Sequence, residues 1–235
     1  MKNRYIRNIQ TPHVDEIGQQ KLHTAKVLVA GAGGLGSTVI ANLAGLGVGH
    51  LGIIDKDIVE PSNLNRQFLH NIESLQKKKA LCAKDWVNQY NPDIEAVAYD
   101  LELNEENFQK IVQNYDIIAD CFDSFQSKFL LNKIAILSQK PLIHAGVSGW
   151  NGQVMTINPN GPCLECVFGQ ASNEDPPQGV TSPVVSAVAS LQSVELLKVI
   201  LGQGGSDGIL HYDGWGSRLV RIKARKNAHC RCSML

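Results

Sequence analysis

The residues near the start of the chain that are best suited to chemistry are three glycines and an acid. Gly31, Gly33 and Gly36 have G-x-G-x-x-G spacing directly after an apolar stretch, and Asp55 follows. This spacing allows a tight turn and brings backbone N–H groups close to a phosphate at a helix N-terminus. An acid about 20 residues later accepts hydrogen bonds from a ribose. The pattern predicts a nucleotide site, and by itself it is most typical of proteins that bind NAD or FAD.

The segment after the acid carries charged and amide side chains that a dinucleotide site does not need. Asp57, Asn63, Arg66 and Lys79 lie in this segment. Two cations beside a nucleotide favour a polyphosphate with more negative charge than a dinucleotide has, so the segment argues against a dehydrogenase. Each cation also has an ordinary alternative: Arg66 as a surface ion pair, and Lys79 as part of a solvated run of lysines.

Composition limits the class of protein. A chain of 235 residues that is 43% hydrophobic can bury a full core, and one large α/β domain is expected. Lys plus Arg and Asp plus Glu number 22 each, so no nucleic-acid partner is expected. The first ten residues carry charges without an apolar segment, which is not typical of a signal peptide.

No membrane partner is expected from the apolar segments. The most apolar late segment, Val184–Leu201, is interrupted by Gln192, Glu195 and Lys198, so it predicts a packed amphipathic helix. The expected setting is cytoplasmic. There the six cysteines would be reduced, and clustered cysteines favour a metal site over disulfides.

Apolar strands alternate with helical patterns along most of the chain. The predicted strands are Lys26–Ala30, His50–Asp55, Ile94–Tyr99, Asp116–Asp120, Pro141–Ala145 and Gln153–Ile157. The predicted helices are Asp15–Leu22, Gly34–Leu46, Gln76–Tyr90, Glu105–Asn114 and Phe125–Ser138, and Ser182-Pro183 predicts the N-cap and first residue of a further long helix. The alternation predicts an α/β fold: a Rossmann-like, mainly parallel sheet with helices on both faces, plus C-terminal antiparallel strands at 208–212 and 218–223.

The motifs in this order resemble those of the ThiF/MoeB/HesA adenylyltransferases, the bacterial relatives of ubiquitin-activating enzymes. The resemblance covers about residues 4–232 and is carried by RYIR, GAGGLG, DKDIVEPSNLNRQ, Lys79, the segment Asp120–Asp123, CLEC and GVTSPVVSAVASLQSVELLK. It implies a single domain over 1–235 that uses ATP and Mg²⁺ to adenylate the C-terminal glycine of a ubiquitin-like sulfur carrier ending in Gly-Gly. Pyrophosphate would leave, and the sulfur would serve thiamin or molybdopterin biosynthesis.

The resemblance also implies roles for individual residues. Arg66 and Lys79 would neutralise the triphosphate, Asp123 would hold Mg²⁺, and Arg7, in an N-terminal dimer arm (1–25), would reach the γ-phosphate of the neighbouring subunit in a homodimer. The implied cofactor-binding residues are Gly31, Gly33, Gly34, Gly36, Asp55, Asp57, Ser62, Asn63, Asn65, Arg66, Lys79, Asp123 and Ser124. Asp123 alone has another interpretation, as the N-cap of the next helix. Asp120 and His144 are interpreted as structural.

Four cysteines resemble the zinc site of the family. Cys163 and Cys166 form C-x-x-C, but Cys230 and Cys232 in the tail (226–235) form C-x-C, which departs from the family pattern. The resemblance implies a structural Zn²⁺ held by these four residues. There are two alternatives: a zinc site with three cysteines that His229 completes, and reduced cysteines that bind no metal.

Other departures leave further functions open. Ser124 stands where the family commonly has Asn, and Lys128 where it has Arg. The segment ASNEDPPQGVTSP, directly before the long helix, has no cysteine, which predicts adenylation without an enzyme thioester. Section 170–181 of the crossover loop (158–182) is long enough to act as a lid. Adenylation of a small-molecule or tRNA-linked carboxylate, and a scaffold that binds nucleotide without chemistry, are the alternatives.

Overall fold

The computed structural model describes residues 4–169, 179–205 and 208–230. Its strands are β1 (Lys26–Ala30), β2 (His50–Ile54), β3 (Glu95–Tyr99), β4 (Ile117–Asp120), β5 (Leu142–Ser148), β6 (Asn151–Ile157), β7 (Ile209–Asp213) and β8 (Arg218–Ile222). Its α-helices are α1 (Ile6–Ile9), α2 (Asp15–Thr24), α3 (Gly34–Leu46), α4 (Lys79–Tyr90), α5 (Glu105–Val112), α6 (Phe125–Leu137), α7 (Leu164–Phe168) and α8 (Ser182–Leu201). Two 3-10 helices, Pro61–Asn63 and Ile72–Ser74, lie between β2 and α4.

These strands form one sheet in the order β3-β2-β1-β4-β5-β6-β7-β8. The strands from β3 to β5 in that order are parallel, and β6, β7 and β8 are added antiparallel. Because β1 lies between β2 and β4, successive connections diverge there, and a crevice forms beyond the carboxyl ends of β1 and β4. The predicted fold class is confirmed.

Helices cover both faces of this sheet. Val27 and Val29 of β1 belong to a core cluster with α2, α3, α4 and α8, whereas Leu28 belongs to a second cluster with α5 and α6. Four of the five residues of β1 are buried, as expected of a parallel strand with helices on both sides. The layers hold the ends of β1, β2 and β4 in fixed positions.

Most predicted elements lie within a few residues of their expected bounds. Helix α4 begins at Lys79 rather than Gln76, because Gln76 lies in a turn with a left-handed φ of 64° and its N–H donates to Val59 O. The N-cap of α8 is Thr181 rather than Ser182, so Pro183 is the second helical residue. Helix α7 lies inside the predicted crossover loop, and residues 170–178 of that loop lie outside the described part.

Helix α8 is, among the described residues, the one helix that is long and apolar enough to cross a membrane. Half of its most apolar window is buried inside the protein. Gln192 in this helix is fully buried and donates to Asp120 O at 2.9 Å and to Ile143 O at 2.8 Å. The predicted packed helix is therefore a core element that is hydrogen-bonded to β4 and β5.

Candidate active site

The turn between β1 and α3 fits only glycine at two positions. Gly31 has φ = 105°, and its N–H donates to Ile54 O at 2.8 Å. A Cβ on Gly31 would lie 2.7 Å from Cys121 O, and a Cβ on Gly36 would lie 1.9 Å from Gly31 O. The turn therefore brings β1, β2, β4 and α3 into direct backbone contact.

The N-terminus of α3 has no side-chain cap. Gly33 is the N-cap residue, and a Cβ there would meet only Gln67 Nε2, at 3.6 Å. A Cβ on Gly34 would lie 3.1 Å from Val185 Cγ1 of α8 and 3.6 Å from Arg66 Cγ. The N–H groups of the first turn lack intrahelical partners and carry the positive end of the helix dipole, which suits an anion.

Asp55 lies directly after β2, beside the glycine turn. Its carboxylate accepts hydrogen bonds from the N–H groups of Ala32 (2.7 Å) and Asp57 (2.9 Å). Burial raises the pKa of Asp55, and the two backbone donors offset part of this rise. Because a carboxylate has about four acceptor sites, it keeps lone pairs for the predicted ribose hydroxyls.

Lys79 is buried and paired with Asp57. The loop from β2 to α4 is closed at its base by antiparallel contacts, including the hydrogen bond from Lys79 N–H to Asp57 O at 2.9 Å. The side chains then meet, with Lys79 Nζ 3.1 Å from Asp57 Oδ2, and the Lys79 side chain is 8% exposed. Lys79 is therefore not the solvated lysine of the ordinary alternative, although it stands in a run of lysines.

Arg66 lies over the start of α3. Its Nη1 donates to Ser62 O at 2.9 Å and to Asn65 Oδ1 at 2.8 Å, and its stem passes Gly34. Among the described residues Arg66 has no ion pair, so no contact in that part of the chain supports the surface-pair alternative. The guanidinium has five N–H donors, and those not directed at the loop are available to a phosphate.

The amide and hydroxyl residues predicted beside Arg66 differ in exposure. Asn63 is buried, and its Oδ1 accepts from Glu60 N–H at 3.0 Å, which caps the 3-10 helix Pro61–Asn63. Ser62 and Asn65 are exposed. Asn63 therefore shapes the loop, whereas Ser62 and Asn65 are accessible to a ligand.

Asp123 lies beyond β4 with an exposed side chain, whereas Ser124 is used in capping. Ser124 Oγ accepts from Ser127 N–H at 3.2 Å at the start of α6. The alternative interpretation of Asp123 as the N-cap is therefore wrong. The pKa of Lys56 is raised chiefly by Glu102 and to a small extent by Asp123, so the residues after β2 and β4 are electrostatic neighbours.

A buried charge network lies behind Asp123. Asp120 is fully buried, and Lys128 Nζ lies 3.5 Å from its carboxylate oxygens and donates to Ala145 O at 2.6 Å. Burial alone would raise the pKa of Asp120, but Lys128 and His144 hold it below its usual value. Asp120 also accepts from Phe122 N–H at 3.2 Å, so the network fixes the turn that carries Asp123.

His144 is a buried, hydrogen-bonded residue, as the sequence indicated. Its Nδ1 lies 2.7 Å from Asp120 Oδ2, and its Nε2 lies 3.2 Å from Gln153 Nε2. Burial lowers the pKa of His144 in spite of its carboxylate partner. These contacts indicate a neutral ring that donates through Nδ1 and accepts through Nε2.

Arg7 is not brought to this site within one chain. It is exposed on α1, with Nη1 3.4 Å from Gln10 Oε1. The Tyr5 ring covers Gly47, where a Cβ would lie 2.5 Å from Tyr5 Cε1. Gly47 is the C-cap of α3, and a 13-residue helix is about 20 Å long, so Arg7 lies near the far end of α3 from Gly33. Its predicted role requires the site of a second subunit.

Three of the predicted metal ligands lie close together on the face of the sheet that α5 and α6 cover. Cys163 Sγ lies 3.7 Å from Cys166 Sγ and 3.6 Å from Cys230 Sγ. Sulfurs bound to one tetrahedral Zn²⁺ at about 2.3 Å are about 3.8 Å apart, so the three residues fit such an ion. Among the described residues His229 does not join this group, and Cys232 lies outside the described residues.

Two buried residues at the glycine turn were not predicted. Gln67 and His70 are 4% and 5% exposed, and within the described part of the chain Gln67 Oε1 and His70 Nδ1 have no hydrogen-bond partner. His70 Nε2 lies 3.1 Å from Ala32 O. The sequence shows polar residues in a polar loop here, and nothing in their types or spacing distinguishes burial against the turn from exposure to solvent.

The doubly wound sheet, the uncapped helix at the glycine turn and the paired cation beside Asp55 define a Rossmann-like class of nucleotide-binding protein. Within this class, the chain belongs to the ThiF family, whose model matches residues 5–234.

Named relatives cover most of this chain. It is 35% identical to the sulfur carrier protein adenylyltransferase of Thermus thermophilus, over 97% of this chain and 89% of the relative. It is 37% identical to the adenylyltransferase and sulfurtransferase MOCS3 of Xenopus laevis over 98% of its length, but spans only about half (53%) of that relative. The structure of E. coli MccB with ATP has a TM-score of 0.86 at 24% identity, covering 99% of this chain and 75% of MccB; this likeness concerns the fold.

Proposed function

We propose that the protein is an ATP-dependent adenylyltransferase that activates the C-terminal glycine carboxylate of a small ubiquitin-like sulfur carrier. The observation that carries this proposal is the grouping of Asp55, Arg66 and the Lys79–Asp57 pair around the N-terminus of α3. This group suits a nucleoside triphosphate better than a dinucleotide. The names of the ThiF relatives support the sulfur carrier as the acceptor.

The reaction joins a carboxylate oxygen to the α-phosphorus and breaks the bond from that phosphorus to the pyrophosphate. Both reactants are anions, so the protein must supply positive charge rather than covalent chemistry. The N-terminus of α3 supplies it from the half-buried Gly33 and Gly34, Lys79 supplies it from a buried position, and Arg66 supplies it from the loop. Lys79 can exchange Asp57 for phosphate oxygens, because the Asp57 side chain is 55% exposed.

Asp123 is the residue proposed to hold Mg²⁺. Its carboxylate is exposed at the carboxyl edge of the sheet, and Mg²⁺ binds one or two protein carboxylates together with phosphate oxygens and water. The ion would neutralise the charge of the leaving pyrophosphate. We expect Asp123→Ala to lower adenylation by more than about tenfold, which corresponds to about 1.4 kcal/mol in the barrier. Asp85→Ala, at an exposed position of α4, is the matched control.

Arg7 and the cysteines support the same proposal at two further places. Arg7 would complete the site of a second subunit, so the active form would be a homodimer. Zn²⁺ on Cys163, Cys166, Cys230 and Cys232 would be structural, because it would tie the tail to α7 away from the nucleotide. The segment that leads into α8, ASNEDPPQGVTSP, contains no cysteine, so the acyl-adenylate would pass to its acceptor without an enzyme thioester.

The test is ATP–pyrophosphate exchange with Mg²⁺ and a panel of acceptors. The panel contains carriers ending in Gly-Gly, the same carriers without the last glycine, and small carboxylic acids. Exchange that needs the intact tail supports carrier activation, and the preferred carrier assigns the thiamin or the molybdopterin pathway. Exchange with a small acid alone contradicts the carrier, and ATP binding without any exchange indicates a scaffold.

A further inference from the structure

One segment of the β2–α4 loop packs along the glycine turn and runs in the opposite direction to it, as three contacts show. Arg66 Cγ faces Gly34, Gln67 Nε2 faces Gly33, and His70 Nε2 contacts Ala32 O. The segment 66–70 therefore forms one wall of the space in front of the uncapped N-terminus of α3. Arg66 is already assigned to phosphate binding, whereas Gln67, which lies deeper in this wall, has no assigned role.

The side chain of Gln67 is buried without the hydrogen bonds that burial requires. It is 4% exposed, and its Oε1 has no partner among the described residues. Gln67 Nε2 has no hydrogen-bond acceptor in that part of the chain either. It lies next to Gly33, 3.6 Å from the position that a Cβ on Gly33 would occupy. Buried amides are normally satisfied, because an unpaired one costs about 1–3 kcal/mol. An unpaired amide beside a helix N-terminus indicates a ligand.

We propose that Gln67 is a nucleotide-binding residue whose side-chain amide donates to a phosphate oxygen held over Gly33. The proposal deepens the proposed function and rests on it for the identity of the ligand. An amide suits this position because it donates hydrogen bonds without adding a positive charge that would repel Lys79. Burial, and to a smaller extent Lys79, already lower the pKa of the neighbouring His70. The absence of a Cβ at Gly33 leaves the space between amide and phosphate open.

The test measures nucleotide binding and stability separately. Gln67→Met removes the amide at nearly constant volume. We expect ATP-Mg²⁺ to bind about tenfold more weakly by calorimetry, as for the loss of one hydrogen bond to a charged group. The melting temperature without nucleotide should be unchanged or higher, because an unsatisfied buried group has been removed. A structural role would predict the opposite change in melting temperature.

Two further measurements identify the phosphate as the group bound. Gln67→Glu places a carboxylate opposite the phosphate, and we expect it to weaken ATP binding more than Gln67→Met does. Adenosine has no phosphate, so its affinity should be equal for wild type and Gln67→Met. If adenosine and ATP lose affinity equally, the amide does not bind phosphate and the proposal is overturned.

Gln19→Met is the matched control. Gln19 is also buried, but its Nε2 donates to Leu46 O at 2.8 Å at the other end of α3. We expect this variant to melt at a lower temperature and to bind ATP normally. If wild type binds ATP and Gln67→Met binds it equally well, the role of Gln67 is overturned, but the proposed function is not. Absence of ATP binding by wild type overturns the proposed function as well. Binding without carrier exchange contradicts only the choice of acceptor.

Discussion

Replacing Lys128 with methionine should destabilise the protein strongly, because it leaves the charge of Asp120 buried. Asp120 is fully buried, and Lys128 is the cation beside its carboxylate. Removing one partner of a buried ion pair costs about 3–5 kcal/mol. The change also removes the 2.6 Å donor to Ala145 O. For a domain of this size about 1 kcal/mol corresponds to about 2–4 °C, so the melting temperature should fall by about 6–20 °C. Asp120 keeps its bonds from His144 and Phe122, which favours the lower half of this range.

The assay is thermal unfolding at pH 7.5, followed by circular dichroism, for wild type and three variants. Lys128→Arg keeps the charge and should lose less than Lys128→Met. Combining Lys128→Met with Asp120→Asn removes both charges and should recover part of the loss, because no unpaired ion remains. A Lys128→Met protein that melts within about 2 °C of wild type would refute the reasoning, since the carboxylate would then not depend on the lysine.

Three other changes test separate parts of the structure. Cys163→Ser should lose bound zinc in metal analysis and melt at a lower temperature, and unchanged melting after metal loss would mean that the ion is not structural. Gly36→Ala should abolish folding, since its Cβ would lie 1.9 Å from Gly31 O. Gly33→Ala, whose Cβ would have only one contact, at 3.6 Å, should fold and bind ATP more weakly. Equal stability of the two variants by urea unfolding would contradict this geometry. Burial lowers the pKa of His144, so its contribution to stability should be full above the unfolded pKa of about 6.5 and should be lost as the pH falls below that value, by at most about 1.4 kcal/mol per pH unit. His144→Gln should flatten this decline in melting curves between pH 7 and 5. An equal slope in the variant would assign the loss of stability to other groups.

The local parts of the fold were predictable because their signals lie within short segments. The strand Lys26–Ala30 and the helix Gly34–Leu46 have their predicted bounds, since an apolar run and a glycine turn determine both. Helix α7 was missed because its five residues, Leu164–Phe168, follow a Pro- and Gly-rich segment and show no helical period. The start of α4 was misplaced because Gln76 is held by a contact with Val59, 17 positions away in the sequence.

The candidate site was predictable in its residue types but not in its pairings. The sequence places Asp57 and Lys79 in one loop, yet their ion pair depends on the antiparallel contacts at the base of that loop. The burial of Gln67 depends on how the loop lies against the glycine turn, and no pattern in the sequence encodes that position. For Arg7, the sequence gives the residue, whereas its distance from its own site follows only from the length of α3.

The closure at the base of the β2–α4 loop has a consequence for how the loop tolerates change. The contacts of Asp57 and Val59 with Gln76 and Lys79 hold the base of the loop, and residues 71–73 form an exposed tip that is joined to this base through the hydrogen bond from Lys77 N–H to Ser74 O. Insertions are best tolerated at exposed loop tips, since no buried backbone contact is lost there. The length of the tip can therefore vary between homologues, or accept an engineered epitope, while the ion pair at the base keeps its geometry.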